Sequence, residues 1–471
     1  MSSHPLLQPY TPTSSDPFDA VKAAHLLNRA GFGGTAAEIE HARSLGPQAA
    51  LDELLDFPDA PAEEQSETDV PDLSAIDGVP KTLRALALQI ATASEADKKT
   101  LRQKFNQANQ AVMLAMGGWW MKHMAYGPHP LQEKLTLFWH GHFTTSSKDE
   151  RMAELMWQQN ELLRQNAAGN FAAMVHGISR DPAMLDYLNN TQNKKAHPNE
   201  NYARELMELF TLGIGNYTEN DVKQGARAFT GWSHDGEKFI FMPNQHDYGV
   251  KSYLDYVGDF NGDDVVDIIL RHPACAPFIA GEMYRYFVSE DLDPKLQAAL
   301  GAELRGADYE LRPFLRTLFT SKAFYNSQVI GAQIKSPVQL LAGTIRLLAI
   351  DMPDERVIQQ QLTQMGQVPF QPPNVRGWIG GRNWINTGTI FIRYNAGVTL
   401  TSGPTPNLRN EPLGDSSEEL VDRWVARLIQ RPIDPDQRQI LVDAAGDAPP
   451  RFPTLKKIVQ LIVSMPEYQL C

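Results

Sequence analysis

One carboxylate and two imidazoles stand in strongly apolar sequence at Glu133-Lys134-Leu135-Thr136-Leu137-Phe138-Trp139-His140-Gly141-His142-Phe143. Polar groups in such surroundings are costly unless they are paired or put to use. Glu133 and His140 are seven residues apart, which is two helical turns and therefore one face. His142 cannot share that face in an unbroken helix, but Gly141 lets the chain turn so that both imidazoles converge. A carboxylate with two imidazoles suits zinc, manganese or non-haem iron. A divalent metal held there would lower the pKa of a bound water or bind oxygen. The competing reading gives Glu133 a basic partner and has the histidines hydrogen-bond to carbonyls inside an aromatic core.

A second cluster lies in Pro198-Asn199-Glu200-Asn201-Tyr202-Ala203-Arg204-Glu205-Leu206-Met207-Glu208-Leu209-Phe210-Thr211-Leu212-Gly213. Tyr202, Leu206, Leu209 and Phe210 form the apolar stripe of a helix, with Asn201, Glu205 and Glu208 together on another side. Glu200 and Arg204 make an i,i+4 pair. The acids are either a solvated face or a carboxylate ledge for a hard cation or for acid–base work. In the third cluster, His246 beside Asp247 follows a strand-like segment and offers another ligand or base, although such a pair in a loop is more often a turn. The expected catalytic residues are thus Glu133, Glu205 and Glu208, and the expected metal ligands His140, His142 and His246, for a divalent Zn, Mn or Fe.

Two further segments carry polar groups without a defined chemistry. Gln371-Pro372-Pro373-Asn374-Val375-Arg376-Gly377-Trp378-Ile379-Gly380-Gly381, with Trp384-Ile385-Asn386, is a stiff aromatic loop. It serves either as a platform for sugars or peptides or, the favoured reading, as a plug that folds its indoles into the core. Lys335-Ser336-Pro337 reads as a helix cap, and its serine has no visible base. The chain has no GxSxG elbow, Walker A loop, GxGxxG after a strand, or HExxH.

The elements that must position these groups are mostly helical. An apolar stripe over Ala20–Arg29 runs into glycines, and Thr35 with Glu38 makes a capping box for the next helix. Leu101, Phe105, Ala108, Val112, Ala115 and Trp119 recur at spacings of three and four, the mark of an amphipathic helix. Pro130 opens another, which stops near Gly141. Further helices are expected near 150–177, 182–189, 199–212, 219–230, 262–289, 293–302, 310–323, 335–349, 417–431 and 452–465. Asp181-Pro182 and Thr218 with Asp221 are cap signatures. Lys238 to Met242 after His234-Asp235-Gly236 predicts a small hairpin near 236–246, and 366–393 reads as an ordered loop.

Forty-three basic against 56 acidic residues leave a net charge of −13, which argues against a nucleic-acid binder. Ten of those acids fall between Asp52 and Pro80, with no Lys or Arg, so 52–80 reads as an acidic loop or insertion. Two cysteines, Cys275 and Cys471, exclude a disulfide framework and a Cys-based zinc site. No apolar run reaches the roughly 18–20 residues of a membrane span, and the first residues lack the pattern of a signal peptide. A cytoplasmic location is the expectation.

Several blocks follow one another in order: Arg29 to Gly33, the Glu133 to Phe143 block, Asp181 to Leu185, PNENYARELMELFTLG at 198–213, Tyr217-Thr218-Glu219, ARAFTGW at 226–232, Lys335-Ser336-Pro337 and PPNVRGW at 372–378. Together they resemble the bacterial family catalogued as domain of unknown function 1800, over about residues 20–395. The resemblance implies no activity and no catalytic residue. Many relatives look exported, a point on which this sequence differs.

The expected architecture is mainly α: a single large helical domain with a minor β-hairpin and long ordered loops. Its parts are an N-terminal extension at 1–19, a main domain at 20–400, and a C-terminal helical appendage at 401–471 packed on it. The expected function is a metal-dependent enzyme, hydrolase or oxidoreductase, built on the His/Glu groups. The alternative is a non-enzymatic binding or assembly protein whose polar motifs are buried networks that fix packing.

Overall fold

In the computed structural model, which describes residues 4–58, 83–148, 152–402 and 406–471, helices begin where the sequence offers caps. The Glu38 N–H donates to Thr35 Oγ1 and the Thr35 N–H to Glu38 Oε2, at 3.3 and 2.7 Å. Thr218 and Asp221 repeat that box, and the Met184 N–H donates to Asp181 at 2.9 Å behind Pro182. Each such cap is worth about 1 kcal/mol to its helix.

The chain runs α1 (Ala20–Arg29), α2 (Ala36–Leu55), α3 (Leu83–Thr92), the long α4 (Glu95–Tyr126), α5 (Pro130–His142), α6 (Ala153–Gln165), α7 (Phe171–Ser179) and α8 (Pro182–Tyr187). The short α9 (Asn201–Glu205) passes into a π-helical turn at Leu206–Thr211, and α10 (Glu219–Ala228) follows. Two small antiparallel sheets come next, β1 (Trp232–His234) with β2 (Phe239–Phe241), and β3 (Lys251–Tyr253) with β4 (Tyr256–Gly258). Then come α11 (Gly262–Arg271), α12 (Cys275–Phe287), α13 (Pro294–Gly306), α14 (Leu311–Phe319), α15 (Pro337–Leu348), α16 (Glu355–Met365), α17 (Thr387–Ser402), α18 (Pro406–Arg409), α19 (Ser417–Leu428), α20 (Pro435–Ala445) and α21 (Phe452–Val463). The protein is mainly α, as expected.

Several boundaries differ from the sequence reading. The stretch 150–177 breaks between α6 and α7, where Asn170 caps the second helix through the Ala172 N–H. The stretch 262–289 breaks at His272, ahead of Pro273. The hairpin starts earlier, with Trp232 paired to Phe241, and a second hairpin follows it. The loop at 366–393 gives way to α17 at Thr387. Of the acidic stretch 52–80, residues 52–55 finish α2, and Phe57 is buried beneath the Arg312 guanidinium. Residues 59–80 lie outside the described residues.

Buried apolar side chains form two clusters. The first joins α1, α2, α7 and α10–α14, with Leu7, Tyr10 and Phe18 from the N-terminal segment. The second joins α4, α15 and α16 to α19 and α21, so the C-terminal helices share a core with residues of the main domain. α5 serves both: Phe138 belongs to the first and Leu137 to the second. Every residue from Leu131 to His140 is buried. Among the described residues no helix is long and apolar enough to cross a membrane.

Candidate functional site

Because α5 is enclosed on every side, each of its faces meets a different neighbour. Glu133 and His140 do share a face, which looks onto Trp120 of α4. Trp120 Nε1 donates to Glu133 Oε2 at 2.7 Å, and Arg164 of α6 donates to the same carboxylate at 3.0 and 3.2 Å. The His140 ring lies 5.5 Å from the Trp120 ring, and its Nε2 accepts the Phe370 N–H at 3.0 Å. Burial pushes the His140 imidazole down to about 3, so it is neutral.

The helix continues through Gly141 to His142, so the two imidazoles do not converge. Gly141 serves another end: its carbonyl, which accepts from Thr144 Oγ1, is closely approached by the Gly377 backbone of the PPNVRGW turn. A Cβ on Gly377, whose φ is +69°, would stand 2.1 Å from that oxygen. His142 Nε2–H donates to the Phe210 carbonyl at 2.9 Å, and burial lowers this imidazole to about 4. α5 thus meets the 198–213 segment through a backbone carbonyl and not through a carboxylate. Glu208, on the π-helical turn, accepts from Tyr217 Oη at 2.7 Å and lies 3.4 Å from Arg376. The half-buried Glu205 carboxyl is raised by desolvation and then by Glu208. His246 has its own partners: its Nδ1 donates to the Thr230 carbonyl at 2.8 Å, and its ring packs on Phe241 and Tyr248. Asp247 is held below the usual carboxylate range by Arg227.

The six candidate residues thus do not gather into one cluster, and among the described residues no group of three or more His, Cys, Asp or Glu could hold a metal. Two of them, His142 and Glu208, line one cleft of about 690 Å³. Its walls are the Lys134–Phe138–Gly141–His142 face of α5, Glu282, Arg285 and Tyr286 of α12, the Ser336 end of α15, and the loop bearing Arg376, Trp378 and Trp384. The aromatic loop is therefore a cleft wall, with Trp384 itself buried. Ser336 caps α15 as read, accepting the Gln339 N–H at 3.2 Å.

The group that the sequence reading passed over is Lys134. It is 4% exposed and has no hydrogen bond or ion pair among the described residues. Its Nζ stands 5.1 Å over the Phe32 ring and 5.8 Å from that of Tyr286. Burial is the largest influence on it and outweighs the negative charge at Cys471; Arg29 and Lys335 add to the burial, and the amine falls to about 7. The signal was available: a lysine at i, i+4, i+7 and i+8 with Phe138, Gly141 and His142 has one helical face in common with them.

A mainly α chain with a polar-floored cleft where two apolar cores meet is the class of protein defined here. The chain belongs to the family described as "Protein of unknown function (DUF1800)", which matches residues 25–470. No curated protein and no solved structure matches it.

Proposed function

We propose that the protein is a hydrolytic enzyme acting on a small molecule in this cleft, with the Lys134 amine as its acid–base group. One observation carries the reading: a buried lysine, unpartnered among the described residues, forms part of the wall of a cavity large enough for a substrate. An amine near 7 is populated in both protonation states at neutral pH, where proton transfer is most effective. The ammonium donates its proton to the leaving group as that bond breaks. The amine so formed takes a proton from the attacking water as the new carbon– or phosphorus–oxygen bond forms, which restores the starting state.

The metal-dependent form of this reading rests on His142 and Glu208, the two candidate donors in the cleft wall; elemental analysis of protein purified without a chelating tag tests it. For Glu133, His140 and His246 the observed bonds favour the other reading, buried networks that fix packing. The test of Lys134 is its rate of acetylation against pH, read by peptide mass spectrometry. A midpoint near 7 supports the proposal; a midpoint at the ordinary 10.5 removes it.

A further inference from the structure

Lys134 belongs to a set of buried cations that no Asp or Glu side chain of the described residues pairs with. Arg29 on α1 is 1% exposed and donates to the carbonyls of Val288 and Val329 and to Gln333 Oε1. Lys335, 6% exposed, stands 4.2 Å over the Tyr468 ring with no hydrogen bond from its amine among the described residues. Arg393, 1% exposed, donates to the Lys335 carbonyl and to Gln469 Oε1, and its Nη1 has no partner among the described residues. No Asp or Glu of the described residues bonds to any of the four. The negative group among them is at Cys471, and Tyr286 faces Lys134 from α12. The acids of the cleft are engaged elsewhere: Glu208 with Tyr217 and Arg376, and Glu282 with Arg285. Glu290 is exposed, against Gly381 on the loop wall.

One negative group at Cys471 among several buried cations leaves an excess of positive charge, and uncompensated buried charge is costly. We propose that the ligand of the cleft is an anion, a carboxylate or a phosphate, whose charge lies against Lys134 with Lys335 and Arg29 behind it. The proposal rests on the reading that Lys134 faces the substrate, and it supplies the substrate class. It also gives binding a consequence. An anion beside the amine favours the ammonium, so the ligand enters together with a proton and converts Lys134 into the donor that the leaving group needs.

Calorimetric titration with succinate and, separately, with sulfate (a phosphate mimic that does not titrate near neutrality) tests this in two buffers of different ionisation enthalpy. At about pH 8, where the free amine is mostly neutral, we expect one anion to bind with uptake approaching one proton, and the uptake to vanish near pH 5.5. The anion that binds identifies carboxylate or phosphate chemistry. Lys134→Met and Lys134→Gln should each weaken binding at least about tenfold and abolish the uptake, as loss of a charge-assisted contact requires. Lys335→Met should weaken binding while the uptake persists. Failure of both anions to bind the folded protein, or equal affinity in Lys134→Met, overturns the inference. An acetylation midpoint near 7 with no anion bound leaves the acid–base reading standing alone. Lys134-dependent binding with an ordinary midpoint keeps the anion site and removes the acid–base role.

Discussion

Replacing Lys134 by methionine should stabilise the protein, and the gain should depend on pH. Above pH 10.5 the side chain is neutral in the folded and unfolded chains alike and adds nothing. Below pH 7 it is charged in both, and folding must carry an ammonium into a wall made of Phe32, Tyr286 and other cations. The gap between 10.5 and about 7 corresponds to about 5 kcal/mol against folding. Between those limits the unfolded chain holds more protons, so stability rises with pH by about 1.4 kcal/mol per unit from this group. Methionine keeps the apolar stem and removes the charge. Urea unfolding of both proteins at about pH 6, 8 and 10, in buffer without multivalent anions, should show the variant ahead by about 5 kcal/mol at the lowest pH, about 3 at the middle one and about 1 or less at the highest. Other titrating groups cancel in the difference. A difference that is flat with pH, or a variant weaker than the parent at pH 6, would refute the assignment of Lys134 as a buried amine without an Asp or Glu partner.

Glu133→Gln should cost about 3 kcal/mol in the same assay, because Arg164 would keep only Glu161 as a carboxylate partner, and it should leave the Lys134 acetylation midpoint unchanged. His140→Ala should cost about 2–4 kcal/mol by orphaning the Phe370 N–H and opening a void beside Trp120. Glu200→Gln should cost at most about 0.5 kcal/mol, since Arg204 retains Glu219 at 2.7 Å; a fall in bound metal in the His140 variant alone would restore that residue as a ligand. Gly377→Ala should displace the loop from Gly141, costing about 2 kcal/mol or more and shifting the Trp378 fluorescence.

The sequence was most legible at helix ends, where one residue type does one local task. Thr35, Asp181, Thr218 and Ser336 all cap as read. Periodicity was legible only in part. On α4 the fully buried stripe through Ala108 and Val112 continues to Met116 and Trp120, while Phe105 and Trp119 of the expected stripe pack partly buried at its side, because tertiary partners select the face. On α5 periodicity had nothing to report, since a helix buried all round has no polar side to contrast with. The candidate site suffered most from this. Glu133 and His140 were paired on a common face correctly, but the local pattern could not show that Trp120, Arg164 and Phe370 already satisfy them. Lys134 went unread because its distinction is the lack of a partner, and that depends on Arg29 and Lys335, which are remote in sequence. The convergence of 133–143, 198–213, 335–337 and 372–378 on one cleft is likewise a property of the fold alone.

The partners of α4 have a consequence for how the protein is made. Its buried Met116, Trp120 and Met124 belong to the second core, and α15 and α16, made much later, are among the neighbours of the helix. From Tyr126 to the start of α15 the ribosome must add about 210 residues, which at about 5–20 residues per second takes roughly 10–40 s. For that interval α4 has α5 and α6 beside it, but the part of the second core that α15, α16, α19 and α21 supply is not yet synthesised, while most of the first core is already emerging. Nascent chains should therefore expose the side of α4 that α15 and α16 cover, and stalling translation ahead of Pro337 should leave that helix more protease-sensitive than in the finished protein.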